Sequence, residues 1–259
     1  MSATEDDFIE LRRGNMYARV RRDEADVVAA ALFHEDGCQP VAAVGRGNMT
    51  RFPWKNGRYG MLRVCRRGGL LGHVLDAGFL LRNRPREEFR IHRQILARGV
   101  PAPALLGVRW QRRGLFYYGA LATELMPGCD LDAWLRTDKH DEEQTQALLR
   151  DCGALIRLMH DKGIYHADLQ VKNIFVSEDG LFLLDFDGAR TGDSVRPVAR
   201  ARNLLRLRRS LEKRGHPAEH WRHLLDGYGG KAPPRWLDAA YRVKALVSDM
   251  IQGRNASEA

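Results

Sequence analysis

The stretch YHADLQVKNIFVSEDGLFLLDFDGAR, residues 165–190, holds Asp168, Asn173 and Asp185 around what reads as a tight hairpin. Two short β-prone runs, Ile174-Phe175-Val176 and Leu181-Phe182-Leu183-Leu184, are separated by Ser177-Glu178-Asp179-Gly180, a polar connection of hairpin length. In an antiparallel hairpin the residue entering the first strand and the residue leaving the second lie about 5 Å apart between Cα atoms. The spacing therefore predicts that Asn173 and Asp185 meet at the open end, with Asp168 joining them from a polar loop. An amide oxygen and a carboxylate suit a hard cation such as Mg²⁺, which takes water and phosphate oxygens as its remaining ligands, better than zinc or iron. Asp168 is then the group that accepts or orients a proton from a hydroxyl nucleophile. Taken singly, each of the three is more readily a turn or capping residue, because Asp and Asn bond their own backbone. Together they match the phosphoryl-transfer pattern of a catalytic-loop base, an amide metal ligand and a metal-chelating aspartate.

The elements that must carry these residues follow from periodicity. Strand-like segments dominate the first third: Pro40 to Val44, then Tyr59 to Cys65, linked through Gly45-Arg46-Gly47 and the turn signal Asn56-Gly57. A helix follows Pro85 with Phe89, His92, Ile95 and Leu96 on one face and Gly99 as its stop, after which GVPAP forces extended chain. Gly107 to Trp110 and Phe116 to Leu125 read as a second strand pair that runs into the break Met126-Pro127-Gly128. Beyond it the pattern turns helical: Leu148, Leu149, Cys152, Leu155, Ile156 and Met159 make one apolar stripe ending at Gly163. From about Val198 the chain is helical and arginine-rich. The expected fold class is α+β, with a β-rich lobe over residues 1–123, a linker at 124–128 and an α-rich lobe over 129–259.

The chain has 259 residues, 44% hydrophobic and 29% charged, which fits a globular protein rather than a disordered one. Its net charge of +9 suggests a polyanionic partner, although a merely solvated basic surface explains charge alone equally well. Cys38, Cys65, Cys129 and Cys152 form neither a zinc spacing nor a disulfide framework, and read as reduced thiols of a cytoplasmic protein. The acidic N-terminus lacks a signal-peptide apolar region. The longest apolar stretch, Gly68 to Leu81, is too short to span a bilayer and contains His73 and Asp76. Any membrane contact is expected to be peripheral.

HADLQVKN and DFD resemble the catalytic loop and metal motif of the protein-kinase-like superfamily. Together with LRVCRRGGLLG at 62–72, EEFRIHRQILARGVPAP at 87–103 and RNLLRLRRSLEK at 202–213, they look most like the lipopolysaccharide kinases, in particular the 3-deoxy-D-manno-octulosonic acid (Kdo) kinases. These segments cover most of residues 41–213. The resemblance implies a bilobed kinase-like fold with ATP and Mg²⁺ as cofactors. Asp168 takes the role of base, and Asn173 and Asp185 those of metal ligands. Gly45 and Gly47 fall at the Gly-rich loop, a weak signal that most Gly-x-Gly hairpins share. Arg63 stands where a kinase carries its phosphate-contacting lysine, an exchange that is not neutral. Glu88 is its expected partner and Glu87 the competitor. The hinge falls at TELMPG, where backbone groups of Glu124 and Met126 would meet an adenine edge. His166 is read as a structural anchor of the loop.

The sequence also departs from the protein-kinase pattern: His-Ala-Asp replaces His-Arg-Asp, Gln170 stands in place of a lysine, and Asp-Phe-Asp replaces Asp-Phe-Gly. These changes point away from a protein substrate. The resemblance implies phosphorylation of the 4-hydroxyl of Kdo on a lipid A precursor, by an enzyme peripheral to the cytoplasmic face of a bacterial inner membrane. An anionic membrane surface is then a partner and nucleic acid is not; the oligomeric state stays open. Two rivals stand beside it: an aminoglycoside- or choline-type small-molecule kinase, and a non-catalytic anion- or membrane-binding module, which would have no need of the Asp168, Asn173, Asp185 triplet.

Overall fold

The computed structural model describes residues 6–34, 38–40, 49–65, 79–80, 82–230, 233–234 and 236. Its chain divides into two compact units, Met1–Gly128 with Phe182–Phe186, and Cys129–Leu181 with Asp187–Ala259.

The first unit is built on an antiparallel sheet. Along the chain come β1 (Phe8–Arg13), β2 (Met16–Arg21), α1 (Ala25–His34), β3 (Gln39–Pro40), β4 (Met49–Pro53), β5 (Tyr59–Val64), β6 (Phe79–Leu80), α2 (Arg84–Ala97), β7 (Leu105–Arg113) and β8 (Phe116–Leu125). The strands lie in the order β1-β2-β7-β8-β5-β4-β3, with β6 also paired to β8. Alternation along β8 explains the two helices. Ala120 and Ala122 share a buried cluster with Val28, Ala31 and Leu32 of α1, and Leu121 on the opposite face packs with Phe89 of α2, Val108 and Trp110. Asn56 and Gly57 both have positive φ, 52° and 72°, as a tight hairpin with the right-handed strand twist demands. α2 starts where the Asn83 side chain accepts from the Arg86 amide at 3.2 Å, has Pro85 in its first turn, and stops at Gly99 with φ of 73°.

Three features of this unit differ from the sequence reading. The β1–β2 hairpin and α1 occupy a region that the reading left unassigned, because Val27 to Phe33 is an unbroken apolar run that leaves no 3.6-residue stripe to mark a helix. β7 extends to Leu105 and Arg113, beyond the short run at 107–110. β4 begins at Met49, inside the segment taken as a connecting loop, since pairing with β5 in the register Met49↔Arg63 overrides weak local propensity. Gly45 and Gly47 lie outside the described residues.

The second unit contains β9 (Cys129–Asp130), α3 (Leu131–Leu135), α4 (Glu142–Asp161), β10 (Ile164–Tyr165), β11 (Ile174–Ser177), β12 (Gly180–Leu183, whose last two residues belong to the first unit), β13 (Arg190–Thr191), α5 (Pro197–Lys213) and α6 (Ala218–Tyr228). α4 starts earlier than its apolar stripe. Asp141 and Gln144 form a reciprocal capping box that satisfies the first amides and carries the helix through two polar turns. Leu149, Cys152, Ile156 and Met159 are fully buried. α4 and α6 meet through glycines: a Cβ on Gly153 would run into the Leu224 carbonyl oxygen and the Tyr228 amide, and one on Gly227 into the Arg150 carbonyl. Gly153→Ala is expected to lower stability by about 2–4 kcal/mol, because neither backbone can yield without separating the helices. Urea melts of the variant check this, and an unchanged midpoint would rule out the close crossing.

Candidate active site

Arg63, Glu88 and Asp185 come together in the first unit. Arg63 sits on β5 between Met49 of β4 and Leu121 of β8. Its Nη2 pairs with Oε1 of Glu88, on the second turn of α2, and lies 3.7 Å from Oδ1 of Asp185. Glu88 is only 5% exposed, so the guanidinium supplies the charge that its burial requires. The Cys65 thiol adds a weak contact to the other Glu88 oxygen at 3.8 Å. Glu87, the competing acid, points elsewhere and pairs with Arg82 at 2.8 Å.

Asp185 holds a left-handed backbone, with φ of 58°, a strained conformation for a residue with a side chain. The consequence is directional: Asp185 stays exposed while Phe186, next in sequence, is 1% exposed. The Phe186 ring packs edge-on against His92 of α2, with centroids 5.1 Å apart. The His92 Nε2–H donates to the Pro103 carbonyl at 2.9 Å. Burial, opposed by that bond and reinforced by the charge on Arg63, pushes the imidazole down from 6.5 to about 4, so it is neutral at physiological pH.

At the end of β8, the Glu124 amide donates to the Ala104 carbonyl at 2.8 Å and its side chain pairs with Arg58. Glu124 lies in register with Gly60 of β5. Met126 is half-buried just beyond the strand.

Asp168 and Asn173 come together in the second unit. Asn173 Nδ2 donates to the Asp168 carbonyl at 2.7 Å. That bond fixes the amide orientation and leaves Oδ1, without a partner among the described residues, as an acceptor that fits a hard cation. The Asp168 carboxylate takes a bond from Gln170 Nε2 at 2.6 Å on Oδ2 and one from Arg206 Nη1 at 2.8 Å on Oδ1.

The loop below is held by Asn203, wholly buried on α5. Its Nδ2 donates to the His166 carbonyl at 2.6 Å, and its Oδ1 accepts from the His166 amide at 3.3 Å. With the amide so oriented, His160 Nε2, 3.1 Å from Oδ1, must carry a proton, and Nδ1 accepts from the Tyr228 hydroxyl at 2.9 Å. Burial leads the causes that lower His160 to about 4, with the bond to Asn203 opposing it. His166 Nδ1 in turn accepts from the Asp168 amide at 3.1 Å, so His166 acts as a bracket rather than a proton carrier.

Residues 42–228 match the model of the lipopolysaccharide kinase (Kdo/WaaP) family. The chain belongs to this family. It is 33% identical to the 3-deoxy-D-manno-octulosonic acid kinase of Vibrio cholerae over 71% of this chain and 83% of that protein. The enzymes of that name from Actinobacillus succinogenes and Xanthomonas campestris are 31% and 35% identical, over 80% and 76% of this chain and 92% and 80% of their own lengths. A solved structure of WaaP in complex with acyl carrier protein superposes with a TM-score of 0.55 at 18% identity, covering 92% of each chain, and shows that the fold is kinase-like. The protein is accordingly a phosphotransferase with an alcohol group as acceptor. Among the described residues no helix is long and apolar enough to cross a membrane.

The structure thus groups Arg63 with Glu88 and Asp185 in one unit, and Asp168 with Asn173 in the other. Sequence reasoning missed Asn203 and Arg206. The signal for Asn203 was a polar residue beside Leu204 and Leu207 on the buried face of α5; nothing local separated Arg206 from the other arginines of that helix.

Two outcomes follow from these contacts. Asn203→Ala should cost about 3 kcal/mol in urea unfolding, since it strands two His166 backbone groups and the His160 proton, and should lower turnover by loosening Asp168; stability equal to the parent would contradict the bracket. Because His92 and His160 titrate lower folded than unfolded, the unfolded chain binds more protons below 6.5, and stability falls as pH drops from 6.5 toward 4. Each should cost about 2 kcal/mol by pH 5. Urea melts at pH 7.5 and 5.0 measure the difference, and His92→Gln should remove part of it.

Proposed function

We propose that the enzyme transfers the γ-phosphoryl group of ATP to the 4-hydroxyl of Kdo on a lipid A precursor. The observation that carries this reading is the Arg63 guanidinium set between the buried Glu88 and the exposed Asp185. A cation so held, with one acid neutralising it and another beside it, is what a nucleotide phosphate requires. Arg63 would steady the phosphates by its fork, where a lysine would act as a point charge. Asn173 Oδ1 and the Asp185 carboxylate would hold Mg²⁺, which when bound neutralises charge on the phosphates. Asp168 would orient the acceptor hydroxyl and take its proton as the oxygen bonds to the γ-phosphorus and the bond to the bridging oxygen breaks, releasing ADP. Glu124 and Met126 would meet the adenine edge through their backbones, and Gly45 and Gly47 would approach the phosphates. The net charge of +9 supports a peripheral association with an anionic membrane face on the cytoplasmic side, where such a lipid acceptor is met.

Purified enzyme, ATP, Mg²⁺ and a Kdo-bearing lipid A precursor should yield ADP and a phosphorylated lipid. Asp168→Ala should reduce turnover by about 10²–10⁴-fold with its melting curve unchanged. Full activity in that variant, or transfer to a free aminoglycoside or choline with none to the Kdo lipid, would overturn the reading.

A further inference from the structure

Resting on that reading of the acceptor, we propose that Arg206 binds the carboxylate of the sugar being phosphorylated and so selects an acidic sugar over a neutral one.

The argument starts from what surrounds Asp168. One carboxylate oxygen is bonded by Gln170 and the other by Arg206 Nη1 at 2.8 Å. A guanidinium on the base works against proton acceptance, and a half-exposed ion pair of this kind adds little to stability, so neither chemistry nor folding accounts for an arginine here. Among the described residues, Asp168 is the one hydrogen-bonding partner of Arg206, engaged through a single nitrogen. The Nε and Nη2 edge is left for something else, and the side chain is 41% exposed. That edge matches the two oxygens of a carboxylate.

The guanidinium also stands on a fixed base. Ala201, Leu204, Leu205, Leu207 and Leu211 bury the inner face of α5. One turn beyond Arg206, Ser210 Oγ accepts from the Val171 amide at 3.2 Å, which pins the helix to the catalytic loop. The distance between the Arg206 stem and Asp168 is therefore set by packing.

The acceptor chemistry fits this spacing. The curated relatives are kinases of 3-deoxy-D-manno-octulosonic acid, a sugar whose acid group is attached to the ring carbon two bonds from the carbon bearing the 4-hydroxyl. A ring that presents this hydroxyl to Asp168 carries its carboxylate to the neighbouring group, and the neighbour is Arg206. A neutral hexose would leave the fork unmatched.

The test compares two acceptors, the Kdo-bearing lipid A precursor and its Kdo methyl ester, which keeps the hydroxyl and loses the charge. Wild-type enzyme should favour the acid by about 10- to 100-fold in kcat/KM. Arg206→Met should bring that ratio close to one, mainly by raising KM for the acid, and Arg206→Lys should give an intermediate ratio. A wild type that treats both acceptors alike, an Arg206→Met enzyme that still prefers the acid, or equal losses on both acceptors would overturn the assignment, the last by showing that Arg206 only positions Asp168. If Arg206→Met does not fold, the wild-type ester comparison and the lysine variant decide the matter. Wild type inert on both acceptors but active on choline or an aminoglycoside would refute the acceptor reading first, and the role of Arg206 with it.

Discussion

A carboxylate buried at Glu88 is the constraint around which the first unit is arranged. Left alone at 5% exposure it would cost several kcal/mol, and it persists because Arg63 meets it. Arg63 is fixed by strand register and Glu88 by a helix with a defined cap, so their pairing locks α2 onto the sheet. Other contacts inherit that placement. Phe89 turns edge-on to Phe8 with centroids 5.0 Å apart, and His92, one turn along, bonds Pro103 and walls Phe186. The same cation reaches Asp185, whose left-handed backbone sends its own side chain outward and that of Phe186 inward.

The second unit solves its positioning problem with neutral hydrogen bonds. Asn203 is fully buried, and every polar atom of its amide is used: two groups of the His166 backbone and the His160 ring consume it. Tyr228 completes the chain on α6. Such a network is stable only when fully satisfied, which makes it a rigid seat for the loop that bears Asp168. The glycine crossing of α4 and α6 serves it by bringing Tyr228 within reach of His160.

The departures from the protein-kinase pattern belong together chemically. Gln170 in place of lysine gives Asp168 a neutral donor, and the positive charge beside it comes from α5 through Arg206. A cation delivered from another element can serve two groups, the aspartate and a ligand, without occupying the loop. Arginine at position 63 is suited to a site where planar, oxygen-rich partners are bound on one side and a buried acid on the other.

Much of this was readable in the linear chain. Pro85 and Gly99 bound α2, Asn56-Gly57 marks the turn between β4 and β5, and the 3.6-residue stripe ending at Gly163 marks α4, because caps, turns and periodicity are properties of neighbouring residues. The hairpin and helix of residues 8–34 were not readable, since Val27 to Phe33 is apolar without a helical stripe and the alternation of β2 matters only once it lies beside β7. Nor could composition distinguish Arg206 from the arginines around it on α5, or Asn203 from a helix-breaking intruder. Those identities depend on which residue of a helix faces a loop far away in sequence, and only the packing of α4, α5 and α6 sets that angle. The sequence by itself marked α2, α4, the β4–β5 turn and a set of candidate reactive groups; the tertiary structure decided which charge meets which, because burial and distance, not local propensity, fix the partners of a carboxylate.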